Sequence, residues 1–135
     1  MTDPLPQHLE EFLQRPNPAV LASVRSDASP HTAVTWYEWD NGRALVTMDA
    51  IRLRVRFLRA NPQVSLTVID AEDWYRHVTL MGRVVSLEPD EGLVDYQRLA
   101  ARYSREPGRL DRDRLSAWIA VDKWYAWDAG RDTPR

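Results

Sequence analysis

The stretch HTAVTWYEWDNGRALVTM, residues 31–48, decides the fold class. Its first half, His31 to Trp39, is rich in Thr, Val, Trp and Tyr, which suit a pleated, half-buried surface and predict a strand. Asp40-Asn41-Gly42 interrupts the run, and Asn-Gly supplies the positive φ angles that a tight hairpin turn needs. Ala44 to Met48 is the return strand. The chain therefore contains an antiparallel meander.

Working outward, Val20 to Val24 reads as a preceding strand and Ser26-Asp27-Ala28-Ser29-Pro30 as the turn between. Further upstream Leu5, Leu9, Phe12 and Leu13 recur at helical spacing, and Pro16 and Pro18 stop that helix. Downstream, Arg52 to Ala60 predicts a short helix ended by Asn61-Pro62. Ile51, Val55 and Leu58 fall at i, i+4, i+7, a core-facing stripe. Val64 to Ile69 and His77 to Leu87 are two more strands, with Asp70 to Tyr75 between them. Pro89-Asp90-Glu91 starts a helix in which Leu93, Tyr96, Leu99 and Ala100 share a face. Glu106-Pro107-Gly108 ends that region, and Leu115 to Trp127 closes the chain as a long strand with clean alternation at Leu115, Ala117, Ile119 and Val121. Six strands with short helices and mostly tight turns predict a mainly β (α+β) antiparallel barrel.

The bulk properties narrow the function. A chain of 135 residues is the size of one domain, taken as 1–135. A formal charge of −2 argues against wholesale binding to nucleic acid or a membrane, both of which favour a basic surface. With no cysteine, disulfides, thiolate catalysis and cysteine-ligated metals are excluded. Met1 to Pro6 lack the basic start and apolar run of a signal peptide, and no apolar stretch is long enough to span a bilayer, so a cytoplasmic location is expected. His8, His31 and His77 are too scattered to suggest a metal site. Asp70, Glu72 and Asp73 cluster where a turn places carboxylates anyway. No nucleophile elbow, His-Glu-x-x-His pair or Walker loop is present.

The basic residues concentrate in one place. In Asp49-Ala50-Ile51-Arg52-Leu53-Arg54-Val55-Arg56-Phe57-Leu58-Arg59, four arginines alternate with apolar residues directly after a strand, where a helix begins. Cations at a helix start oppose its dipole, whereas a bound anion reverses that sign, and the guanidinium fork matches phosphate. Two readings stand at this point. Arg52, Arg56 and Arg59 share a helical face, as a solvated stripe would. Arg54 lies nearly opposite Arg52 on an ideal helix, so both reach one anion only if Arg52 sits in the turn before regular helix begins.

The sequence resembles the pyridoxamine 5′-phosphate oxidase-like split β-barrel superfamily. The resemblance lies in Val34-Thr35-Trp36-Tyr37-Glu38-Trp39-Asp40, the segment from Asp49 to Arg59, Asn61-Pro62-Gln63-Val64-Ser65-Leu66-Thr67-Val68 and Gly82-Arg83-Val84-Val85. Leu99-Ala100-Ala101-Arg102-Tyr103 is similar to the late helix of its actinobacterial branch, whose members often use the deazaflavin coenzyme F420. The resemblance implies a six-stranded split β-barrel and a homodimer with two cofactor sites at the subunit interface. It implies that Arg52 and Arg54 hold the cofactor phosphate, Arg54 standing where the family usually has lysine. Thr47 and Met48 would line the strand against the cofactor ring. Tyr75 and His77 would reach the cofactor from one chain or its partner, and His31 would approach the ring or substrate. Ile51 and Phe57 depart from positions that are often glycine and asparagine.

The function implied is an F420-dependent, or FMN-dependent, oxidoreductase that moves a hydride between cofactor and a small conjugated substrate. Trp36, Trp39 and Trp74 could wall a pocket for such a flat molecule, whereas Trp118, Trp124 and Trp127 suit packing. Competing readings are a non-catalytic carrier of flavin, deazaflavin or haem, with His31 and His77 as the available iron ligands, and a strict pyridoxamine-phosphate oxidase using FMN. The last is disfavoured because Asp128 to Arg135 lacks an Arg-x-His substrate signature. Single-stranded nucleic acid is a weaker reading still, because the basic residues do not run along a groove.

Overall fold

The computed structural model describes residues 3–128 and 131–132. The end past Asp128, used above against a strict oxidase, lies largely outside the described residues. In chain order the elements are α1 (Gln7–Gln14), β1 (Ala19–Val24), β2 (Pro30–Thr35), β3 (Glu38–Asp40), β4 (Arg43–Asp49), α2 (Leu53–Ala60), β5 (Gln63–Ile69), β6 (Arg76–Pro89), α3 (Val94–Arg102), β7 (Arg114–Asp128) and β8 (Arg131–Asp132). The strands form one antiparallel sheet in the order β2-β1-β5-β6-β7-β4-β3, with β8 added to β7. Its two ends, β2 and β3, follow one another in the chain but share no ladder, so the barrel is split rather than closed. Among the described residues no helix is long and apolar enough to cross a membrane.

The hairpin at the centre of the sequence reading forms as expected, with Asn41 at φ 53 and Gly42 at φ 80. The single strand expected over His31 to Trp39 divides into β2 and β3, which with short β8 raises the count from six to eight. The break falls at Trp36-Tyr37, where the chain passes from one sheet edge to the other. Tyr37 anchors it, with no solvent exposure and its hydroxyl 2.8 Å from the Leu13 carbonyl oxygen and 3.0 Å from that of Arg15.

The two longest strands, β6 and β7, span both halves of the barrel, and they do so through a bulge. Gly82 pairs with Val121 and Met81 with Lys123, which leaves Asp122 as the extra residue. The inward set on β7 therefore changes from Leu115, Ala117 and Ile119 to Trp124 and Ala126. At the crossing a Cβ on residue 82 would lie 1.8 Å from the Ala120 carbonyl oxygen, so only glycine fits.

The core fills the space between sheet and helices with Leu21, Val46, Met48, Leu66, Leu80 and Ile119, capped by Phe12 and Leu13 of α1 and by Val55 and Leu58 of α2. Each such side chain contributes roughly 1.5–3 kcal/mol on burial. Two expected core residues are corrected. Ile51 is 76% exposed, because regular helix starts two residues later and Ile51 sits on the outside of the preceding turn. Leu93 lies before α3 in a left-handed conformation (φ 57), leaving Tyr96, Leu99 and Ala100 as the buried face.

Candidate functional site: a guanidinium-lined groove

Strand β4 has two faces of different character. Ala44, Val46 and Met48 point into the core, so Thr47 must point the other way. That outer face is covered by α3, which is tied to β7 by a 2.6 Å hydrogen bond from the Ser116 hydroxyl to Asp95. Trp36 stacks on two aromatic rings, with centroids 6.2 Å from Tyr96 and 5.6 Å from Tyr103. Antiparallel register places Arg114 opposite Asp49. From there the Arg114 guanidinium donates to Thr47 Oγ1 at 3.1 Å and lies over the Tyr96 ring, 3.8 Å from its centroid.

The turn between β4 and α2 is organised by Asp49. Its carboxylate accepts from the Ile51 N–H at 3.2 Å and from Arg112 at 3.0 Å, and its carbonyl accepts from the Arg52 N–H. Burial opposes the charged form of Asp49, but these partners outweigh it and hold its pKa below the ordinary value of 3.8. The turn leaves Arg52 extended (φ −64, ψ 141) at the position before the first helical residue. This is the condition under which Arg52 and Arg54 can face the same anion, and both line one cavity of about 300 Å³ with His31, Ala33 and Val34. A second cavity of about 250 Å³ adjoins it, lined by Thr47, Arg54, Tyr96, Arg114 and Trp36. Arg54 and Val34 belong to both.

Among the described residues, three buried polar atoms of the side chains lining this groove find no hydrogen-bond partner: His31 Nδ1, Arg54 Nε and Arg114 Nε. Among the described residues, none of Arg52, Arg54 and Arg114 forms an ion pair. Burial lowers the pKa of Arg54, and the charges of Arg52 and Arg114 lower it further. Burial likewise lowers that of Arg114, partly offset by Tyr96, Asp49 and Asp90. Arg52 is exposed, but Arg54 and Arg114 are half-buried, and half-buried cations that repel one another and leave N–H groups unpaired are costly unless an anion completes them. Such a groove is chemically suited to an anion.

The other expected site residues separate from this groove. Met48 is wholly buried, and its side chain belongs to the core rather than to a ring-facing surface. Tyr75 is exposed and packs edge-on against the exposed Trp74. His77 lines a different cavity of about 490 Å³, together with His8, Glu11, Arg15 and Trp127. That cavity is larger, but none of the three unpartnered buried atoms lines it. Of the tryptophans considered for a substrate wall, Trp36 reaches the groove, whereas Trp39 is buried and donates to Glu10 at 2.6 Å. Sequence reasoning missed Arg114. No local pattern marks it, because it reaches the site only through the pairing of two strands distant in sequence.

The family model for pyridoxamine 5′-phosphate oxidase matches residues 5–128. No curated protein matches the chain by sequence. Among solved structures, one described as an F420 reductase is 31% identical, with a TM-score of 0.82, 89% of this chain covered and 98% of that one. General stress protein 26 from Bacillus anthracis is 22% identical, with a TM-score of 0.69 and coverage of 90% and 95%. A heme binding protein from Mycobacterium smegmatis is 18% identical, with a TM-score of 0.68 and coverage of 97% of this chain but 58% of that one. The last two likenesses bear on fold alone.

Proposed function

Because the chain belongs to the pyridoxamine 5′-phosphate oxidase family, we propose that its groove binds coenzyme F420 and that it acts as a cytoplasmic F420-dependent oxidoreductase on a small conjugated substrate. The observation that carries this reading is the set of arginines along the groove that have no carboxylate partner among the described residues, two of them with a buried Nε that lacks an acceptor. It is supported by the likeness, at 31% identity, to a structure described as an F420 reductase. FMN, which also carries a phosphate, is the second candidate, and the same cations favour it.

The residues fit such a group. Arg52 and Arg54 would hold the phosphate through charge-assisted hydrogen bonds. His31 Nδ1, in the tautomer that carries its proton there, would donate to the same anion. Thr47, fixed by Arg114, would stand beside the ring. When bound, the cofactor supplies the hydride exchange, so the protein needs no nucleophile of its own. What the chain contributes is orientation, fixed charge and exclusion of water by Trp36 and Tyr96.

A homodimer forms part of the proposal. Val34, Ile51 and Leu53 are exposed apolar residues around the arginines, and Tyr75 and His77 lie away from them within one chain. Pairing of two chains would cover the former and allow the latter to approach the site of the other protomer. Haem is less well supported, because His31 opens onto an arginine-lined cavity and His77 onto another.

The test is titration of the protein with F420 and with FMN, followed by optical change of the cofactor, on wild type, Arg52→Ala and Arg54→Ala. Either substitution is expected to weaken binding by about 1.5–3 kcal/mol, the scale of a hydrogen bond to a charged group. Oxidation of reduced cofactor by candidate substrates then separates an enzyme from a carrier.

A further inference from the structure

Among the described residues lining the groove, His31 alone is of a type whose charge changes between about pH 5 and pH 8. It stands on β2, opposite Ser23 of β1. From α2 the Phe57 ring packs edge-on against it at 5.6 Å, and the Arg25 guanidinium lies over that same Phe57 ring. On the cavity side it shares its walls with Arg52 and Arg54. Arg56 and Arg59, elsewhere on α2, are exposed and carry the same sign.

The carboxylates nearest in the chain and in the turn are committed elsewhere. Asp27, between β1 and β2, accepts from the Ser29 N–H at 3.0 Å and from the Ser29 hydroxyl at 2.6 Å. Asp49 accepts from Arg112. Among the described residues His31 forms no ion pair.

An imidazolium carries an N–H on both ring nitrogens, and the buried Nδ1 of His31 has no acceptor. A charged ring there meets repulsion from the guanidiniums and leaves a buried donor unpaired. A neutral ring with its lone pair at Nδ1 avoids both. An oxyanion held by Arg52 and Arg54 reverses the balance, because it accepts the N–H and its charge favours the imidazolium.

We infer that His31 takes up a proton when an anion enters the seat formed by Arg52 and Arg54, so that it is a proton-switched third ligand and anion affinity rises as pH falls. The sign follows from linkage: the bound state holds more protons than the free one, so acid favours binding. This rests on the reading of the groove as an anion site, and not on which cofactor brings the anion. A cofactor held through this seat is then retained more tightly in mild acid, as a property of the protein rather than of the ligand.

Sulfate is the probe, because it has the shape and charge of a phosphate group but does not itself titrate near neutral pH. Calorimetric titration at constant ionic strength is run in two buffers of different protonation heat. Wild type is expected to take up protons from the buffer as it binds sulfate, and its affinity should fall about fivefold or more from about pH 6 to about pH 8. His31→Gln keeps a polar side chain that does not titrate. It should bind sulfate without proton uptake and with less than about twofold change over the same range.

The chain has three histidines, so the imidazole NMR signals of the untagged wild type give a second readout that needs no variant. The His31 signal is identified through its contact with Phe57. Its titration midpoint should rise when sulfate is added, while that of His8, which lines the other cavity, should stay in place. Sulfate binding without proton uptake, uptake that persists in His31→Gln, or a His31 midpoint that sulfate leaves unmoved overturns the inference and leaves the anion site intact. Should sulfate fail to bind at any pH, it is the anion site itself that fails, and the inference falls with it. Should His31→Gln not fold, the wild-type imidazole titration decides alone.

Discussion

The Arg114 guanidinium lies 3.8 Å from the centre of the Tyr96 ring, joining the first residue of β7 to the buried face of α3. Tyr96 is itself held at both ends. Its N–H donates to Asp90, and its phenolic oxygen accepts the Gly108 N–H at 2.7 Å. One aromatic ring thus positions a cation at the groove and fixes the loop after α3.

These two roles separate by mutation. Tyr96→Phe keeps the ring under Arg114 and removes only the bond to Gly108, so stability should fall by about 1 kcal/mol with cofactor affinity unchanged. Tyr96→Leu removes the ring and should weaken cofactor binding as well. Urea unfolding and ligand titration on both variants check the split.

Arg102 is a structural cation, unlike those of the groove. It donates to the carbonyl oxygens of Leu13, Gln14, Arg15 and Tyr37 at 2.6–3.3 Å, tying α3 to the end of α1 and to the strand break. Arg102→Leu should cost about 2–3 kcal/mol, because several carbonyls lose a charged donor together. The shift in urea midpoint measures it, and a cost below about 0.5 kcal/mol would contradict the assignment.

At Gly82 the crossing of β6 and β7 leaves no room for a side chain. The three atoms that crowd it, the carbonyl carbon and oxygen of Ala120 and the Cα of Val121, belong to paired backbone and cannot swing aside. Gly82→Ala should therefore destabilise by about 3 kcal/mol or more, or prevent folding, as judged by circular dichroism and thermal unfolding.

The pH dependence turns on Asp49. Its native pKa is depressed, so the unfolded chain takes up a proton first as pH falls. The stabilisation it provides is complete above its unfolded value of 3.8 and disappears as pH drops through the lower folded value. Asp49→Asn should be less stable than wild type at pH 7, and the gap should close in acid below 3.8. Stability curves for the two proteins from pH 7 to pH 2, about the limits of the carboxylate range, give the comparison.

Local chemistry made most of the fold legible. The Asn41-Gly42 turn, the alternation from Leu115 to Ile119 and the prolines after α1 each act within a few residues, and each appears in the structure as read. The failures share a cause. Ile51 fits a helical stripe by spacing, but the helix starts later because Asp49 organises a turn there. Tyr37 reads as a strand residue, yet its hydroxyl bonds to the end of α1 and breaks the strand. In the site, Arg52 and Arg54 were visible as a cluster following a strand. Arg114 was not, since only the register of β4 against β7 brings it there. Met48 was misplaced in role because strand alternation gives the groove to Thr47 and the core to its neighbour.

The most direct measurement is equilibrium titration of the purified protein with F420 at low and at raised salt. The groove as described predicts binding in the micromolar range, about −8 kcal/mol, that weakens with salt and falls at least tenfold in Arg54→Ala. Binding no tighter than about millimolar for both F420 and FMN, or equal affinity in wild type and Arg54→Ala, would contradict it.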